Sequence, residues 1–186
     1  NMEDKYEKAI ENLIDLEKAI KMLEDIADED DRACFMLYTI YIDLKEYDKA
    51  EIYLEKSCNN ENVKSIYNYA IFLIEVKKEI QKAQKISEKL KDKNLGLYYF
   101  LRAKITNSKE DYILAYENGV NAAALIVAAL FEKEDNIEMA IKYYKLSDDY
   151  ISHESISRLS KNEILEEKSS KNRITEYLKK LFKYKN

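Results

Sequence analysis

The sequence predicts an all-α protein, and three observations carry that expectation. There is no proline and there are only two glycines in 186 residues, so the chain lacks the turn punctuation that short strands need. Apolar residues recur at i, i+3, i+4 and i+7, as in Leu37, Ile40, Tyr41 and Leu44, which marks one face of a helix. A short pattern centred on an alanine then returns along the chain, at Ala19, Ala50, Ala83, Ala115 and Ala140. A chain of this length buries a sizeable core and needs no second domain, so one helical domain over residues 1–186 is expected.

Residues 37–58, LYTIYIDLKEYDKAEIYLEKSC, show the repeating unit most plainly. Leu37, Ile40, Tyr41 and Leu44 form one helical face; after Lys45-Glu46, Tyr47, Ala50, Leu54 and Ser57 form a second. Helices joined by so short a break pack as an antiparallel hairpin, and the small Ala50 predicts close approach of a neighbouring backbone. The five alanines are 31, 33, 32 and 25 residues apart. Paired helices with an alanine-centred second helix at this period resemble the tetratricopeptide repeat family, whose unit is about 34 residues. The resemblance spans roughly residues 3 to 150 and is closest at Leu37, Tyr41, Tyr47, Ala50 and Leu54, then at Ala128, Ile137, Ala140 and Tyr144.

That resemblance implies a right-handed α–α superhelix, a solenoid of about five helix pairs over 3–147 with capping helices over 148–184. Three features depart from the family. Tyr38 and Ile71 stand where its first helix carries a small residue, a place that Ala103 and Ala128 fill in later units. The closing proline is absent, and the fourth unit is short, ending near Asn118-Gly119. The shorter Sel1-like repeats are therefore a related alternative.

Taken in order, the first unit runs from about Glu3 to Ala27, with apolar faces from Ile10, Leu13, Ile14, Leu16, Ile20, Leu23 and Ile26. The run Asp28-Glu29-Asp30-Asp31 lacks the alternating spacing and central glycine of a calcium loop. It reads instead as a helix start, with Asp30 or Asp31 as the cap. Asn59 to Asn62 and Asn107-Ser108 read as turns with capping side chains, Asn118-Gly119 as a C-cap, and Asp135 with Glu138 as a capping box. The third unit carries Ile66, Tyr67, Ala70, Ile71 and Ile74, then Ile80, Ala83, Ile86 and Leu90; the fourth opens with the aromatic run Leu97 to Leu101.

Val120–Phe131 is apolar on almost every side and must be covered, with the C-terminal segment as the expected cover. The other reading makes one of its faces a binding floor. From Asp148, Tyr150, Ile151, Ile156, Leu159, Ile164 and Leu165 predict further helix, and Ile174, Tyr177, Leu178, Leu181 and Phe182 form the stripe of a last one. Lys179, Lys180, Lys183 and Lys185 supply the polar outer face that ends a stack. A basic amphipathic helix for a membrane surface or a partner's groove is the competing reading.

Composition narrows function. A net charge of −5 argues against a nucleic-acid partner, since phosphates are gripped by surplus lysine and arginine. No apolar run approaches the roughly 20 residues of a membrane span, and no signal-peptide pattern opens the chain. With Met2 read as the native start behind Asn1, the expected location is cytoplasmic. Cys34 and Cys58 are too few and too separated for a disulfide scaffold or a zinc site, and read as buried thiols. His153 is the one histidine; Ser152, Glu154 and Ser155 around it form no nucleophile elbow, and phosphate-binding glycine loops, HExxH and CxxC are absent from the sequence. No metal, cofactor or catalytic activity is expected.

In the resembling family, the first helices line a concave face on which peptides or partner helices lie. Carried along the same register, that groove is faced by Arg32, Phe35, Thr39 and Asp43, by Asn68, Phe72 and Glu75, by Phe100, Lys104 and Asn107, and by Leu125, Ala129 and Glu132. Aromatic anchors mixed with isolated polar groups fit a protein-binding surface. The lysine and asparagine set with which some family members clamp a chaperone's C-terminal carboxylate is not reproduced. If the superhelix is tight, Phe35, Phe72 and Phe100 are core residues instead.

The expected function is thus a non-catalytic scaffold for a peptide or partner protein. The alternative is self-association into a homo-oligomer through Val120–Phe131 or the C-terminal helix. Charge contrast adds to that alternative: residues 1–32 hold twelve acidic and five basic side chains, residues 161–186 four and eight.

Overall fold

Helices follow one another through the residues that the computed structural model describes, 1–13, 15–147 and 149–162. The expectations for Ile14, Asp148, Ile164, Leu165 and the stripe from Ile174 to Lys185 lie outside the described residues. The chain divides into two compact units, Asn1–Asp111 and Tyr112 onward.

In the first unit, α1 (Met2–Glu11) pairs with α2 (Leu16–Glu24), and α3 (Asp31–Asp43) with α4 (Tyr47–Asn59). Then α5 (Val63–Phe72) runs through a π-helical turn, Leu73–Lys77, and packs on α6 (Ile80–Ser87). A short 3₁₀ turn, Glu88–Leu90, leads to α7 (Leu95–Thr106). α8 (Lys109–Glu117) follows, and in the second unit α9 (Ala123–Lys133) pairs with α10 (Ile137–Ser147), with residues 150–162 again helical. No strand occurs among the described residues.

Side-chain caps set the helix starts. Asn62 accepts from the amides of Lys64 and Ser65, Asn94 from that of Leu97, and Ser108 from that of Asp111. Asp30 is the cap of α3, accepting from the Arg32 amide at 2.9 Å, and so accounts for part of the acidic run. Two others are also engaged: Asp28 pairs with Lys56, and Asp31 accepts from Asn60 Nδ2 at 2.5 Å.

Three of the tight turns share one closing bond, and the turn of the third unit varies it. α3 closes when the Glu46 amide donates to the Tyr41 carbonyl, five residues back, with Lys45 left-handed at φ 58. α8 closes identically, Val120 to Ala115 around Gly119 at φ 93, as the Asn118-Gly119 pair predicts. α9 does the same, Asn136 to Phe131 around Asp135 at φ 59. Asp135 is therefore the closing residue of α9. The cap of α10 is Asn136, whose Oδ1 accepts from the Met139 amide at 3.2 Å, so the expected Asp135/Glu138 box is off by one residue.

The exception is the third unit. There the Glu79 amide reaches the Leu73 carbonyl, six residues back, around Lys78 at φ 59. The π turn holds one additional residue, as such bulges do. Counting back from Tyr41, Leu73 and Phe131 brings Tyr38, Ala70 and Ala128 to one position. The small residue of the third unit is thus Ala70, fully buried, and not its partly exposed neighbour Ile71.

The alanines that mark the repeat, Ala19, Ala50, Ala83, Ala115 and Ala140, are all at 0 % exposure. A larger side chain at any of them would push two close backbones apart. Successive hairpins of the first unit then bury Leu23, Leu37, Ile66, Leu73, Leu90 and Leu101 between them. Tyr38, the large residue at the small-residue position, lays its ring edge-on against Phe72 of α5, centroids 6.3 Å apart.

Ion pairs between these hairpins share a direction: Glu3–Arg32, Asp28–Lys56, Asp48–Lys77, Glu51–Lys82, Glu61–Lys93 and Glu75–Lys104 each place the acid on the earlier segment. Part of the N-terminal acidic excess is therefore spent on pairing forward along the chain. Glu51 is the most enclosed of these acids, accepting from Tyr69 Oη at 3.0 Å, Lys82 Nζ at 2.6 Å and pairing with Lys77 at 3.2 Å. Burial opposes its ionisation, yet those bonds from Lys82, Tyr69 and Lys77 outweigh it and hold its carboxyl below the usual range.

In the second unit, α9 buries Ala123, Ala124, Val127, Ala128 and Phe131. Phe131 stacks with Tyr143 of α10 at 5.6 Å. Among the described residues, no helix is long and apolar enough to cross a membrane.

Candidate functional site

The first helices of the hairpins, α1, α3, α5 and α7, carry an aromatic residue at one equivalent position: Tyr6, Phe35, Tyr67 and Phe100. Equivalence follows from the turn bonds for Phe35 and Tyr67, and from a repeated contact for Tyr6. The Arg32 guanidinium lies over the Tyr6 ring at 4.4 Å, and the Lys64 ammonium over the Phe35 ring at 4.6 Å, each cation coming from the second residue of the next first helix. The next two members touch each other, with the Tyr67 and Phe100 rings 6.4 Å apart.

From Phe35 onward, accessibility falls along this row. Phe35 is 39 % exposed, Tyr67 is half-buried and Phe100 is 9 % exposed. Of the residues predicted to face a groove, Arg32, Phe35, Thr39 and Asp43 of α3 lie exposed together. The Thr39 hydroxyl donates to the Phe35 carbonyl at 2.9 Å. Arg32 is held by Asp30 and Glu3, and its bond to Asp30 keeps that carboxyl below the usual range.

Phe72 departs from the expectation. At 2 % exposure it is a core residue. A uniform α-helical register carried along the chain puts Phe72 on the groove, and the additional residue of the π turn moves the face by one. The position next after the small residue is Ile71, and Tyr67 replaces Asn68 as the partner of Phe35. Asn68 is half-buried, while Glu75 is exposed and pairs with Lys104 at 2.8 Å. Phe100 is likewise packed in the interior, so it is no surface anchor.

The remaining predicted positions serve local structure. Asn107 is the left-handed C-cap of α7, φ 60, its amide donating to the Ala103 carbonyl at 2.7 Å. In the second unit Leu125 is half-buried, Ala129 is exposed, and Glu132 accepts from Tyr144 Oη at 2.8 Å and Arg158 at 2.6 Å. Tyr6 was not foreseen; its signal is the spacing of 29 residues to Phe35, which the alanine register hides because Ala9, not Glu7, is the buried small residue of α1.

The thiols have little chemistry to offer. Cys34 and Cys58 are buried and unbridged, and burial pushes the Cys34 thiol up to about 11 while it donates to the Ala27 carbonyl at 3.0 Å. Burial raises Cys58 as well. His153 is exposed on the 150–162 helix. Among the described residues, no three His, Cys, Asp or Glu side chains gather in a metal-binding group.

These side chains stand on a helical-hairpin frame, and known structures share the frame. PilW is similar to it. The crystal structure of that protein, a widely conserved type IV pilus biogenesis factor, matches with a TM-score of 0.55 over 78 % of this chain and 76 % of PilW, at 16 % identity. At that identity the likeness is one of fold, and together with the all-helical architecture it fits the tetratricopeptide-like fold expected from the sequence. No family model matches the chain, and no curated protein does.

Proposed function

We propose that the chain is a non-catalytic scaffold of the tetratricopeptide-repeat kind, cytoplasmic, that holds a peptide or partner protein on the face formed by its first helices. The supporting observation is the row of equivalent aromatics, with Phe35 left 39 % exposed beside the exposed Thr39 and Asp43. A half-exposed phenylalanine on a rigid helix gives a partner apolar area at little entropic cost. The likeness of fold to PilW is consistent with such a frame.

A photo-crosslinking residue in place of Phe35, compared with one in place of Lys85 on α6, tests the reading in cells. Specific adducts at position 35 and none at 85 are expected. Adducts at both, or at neither, would remove the first-helix face as the binding surface.

Self-association through Val120–Phe131 is the weaker reading, because Ala124, Val127, Ala128 and Phe131 are already buried. Sedimentation that shows mass rising with concentration, and lost on Ala129→Glu, would restore it.

A further inference from the structure

The two cation-over-aromatic steps are copies of one arrangement, and they differ in how the cation is answered. At the first, Arg32 lies over Tyr6 and is answered by two carboxylates: Asp30, the cap of its own helix, and Glu3, three residues before Tyr6. At the second, Lys64 lies over Phe35. Its helix cap is the neutral Asn62, whose oxygen is occupied by the Lys64 and Ser65 amides. The residue three before Phe35 is Arg32, a second cation.

Both carboxylates of the template are thus missing at the copy. Nearby acids do not substitute for them: Glu61 pairs with Lys93, and Asp31 is bonded by Asn60. Among the described residues, this cation over a half-exposed ring has no carboxylate paired with it and lacks the partner that its twin has.

We propose that the Lys64–Phe35 step takes an acidic side chain of a partner peptide, with an apolar residue of the same segment lying on Phe35 and Ile71. The proposal rests on the reading of the first-helix face as the binding surface. It specifies which peptides that face selects. The carboxylate stands where Glu3 and Asp30 stand at the first step, and charge-assisted bonding there discriminates against amide and basic side chains.

The test is selection from a random 12-residue peptide library displayed on phage, with the full chain as bait. The bait is compared with Lys64→Gln, Lys64→Glu and Phe35→Ala, each verified as folded by circular dichroism. Enriched peptides are expected to share Asp or Glu near an aromatic or branched aliphatic residue. Their affinity should fall roughly tenfold on Lys64→Gln, the size of a lost charge-assisted bond, and weaken with added salt. Lys64→Glu should turn the selection towards Lys and Arg. Enriched peptides without a common acid, or indifferent to both Lys64 variants, would overturn the proposal while leaving the binding face intact if Phe35→Ala still abolishes capture. Failure to enrich any peptide whose capture depends on Phe35 would overturn the face and the proposal together.

Discussion

The Glu79 amide donates to the Leu73 carbonyl at 2.9 Å across six residues, where the matching bond from Glu46 to Tyr41 spans five. That single additional residue places Ile71 and Tyr67, instead of Phe72 and Asn68, in line with Thr39 and Phe35. Deleting Glu75 should convert the π turn to an α turn without disturbing α5, so the melting temperature should change by only a few degrees. Deleting Ile71, inside the helix, should move Tyr69 and Ala70 out of the core and abolish cooperative melting. A deletion of Glu75 as damaging as that of Ile71 would refute the insertion.

Phe72 and Phe35 should separate cleanly on truncation. Phe72→Ala empties a buried site and should cost about 3–5 kcal/mol, read from denaturant midpoints. Phe35→Ala, at a position 39 % exposed, should cost about 1 kcal/mol and act on partner capture instead. Equal losses would place both rings in the core.

Acid should loosen the first unit through Glu51. Its folded carboxyl lies below the ordinary 4.5, so the unfolded chain binds more protons near that pH. The contribution is present above about pH 4.5 and lost as pH falls through the depressed folded value. Glu51→Gln should be less stable at pH 7 by about 1–3 kcal/mol, since Lys82, Lys77 and Tyr69 lose a charged acceptor. Between about pH 5 and 3 its stability should also fall less steeply than the parent's. Parallel pH profiles would exclude Glu51 as the acid-sensitive joint.

Alkali acts with the opposite sign. Burial, and then the bond from Tyr41 Oη to Glu24, pushes the Tyr41 phenol up to about 12, and Tyr69 is raised to about 12 by burial and by Glu51 among its neighbours. A raised phenol stabilises the fold below about pH 10 and loses that effect as pH climbs through 12. Ultraviolet titration should show a late tyrosine class that merges with the others in guanidinium, and Glu24→Gln should advance part of it. A single early class would contradict the Glu24 and Glu51 contacts.

Much of this arrangement was legible before any coordinates. Ala19, Ala50, Ala83, Ala115 and Ala140 revealed the hairpin period because a small residue is required wherever two backbones touch, and such a requirement leaves its mark at every copy. Asp30, Asn62, Ser108 and Gly119 revealed helix ends because capping depends on residue type and local position alone. The face was less legible. Its register was counted through a stretch, Leu73–Lys77, whose composition is equally compatible with an α-turn and a π-turn, and one residue is enough to exchange a core ring for a surface one.

By itself, then, the sequence determined the helical class, the hairpin unit and its small-residue joints, since these rest on periodicity and local chemistry. Only the tertiary structure decided that Phe72 and Phe100 belong to the interior and that Tyr6 joins Phe35 in the aromatic row. It alone also showed that, among the described residues, Lys64 meets no carboxylate where Arg32 meets two. Those facts depend on which residues of neighbouring hairpins come to lie against each other, 26 to 34 positions apart in the chain, and no local preference encodes that.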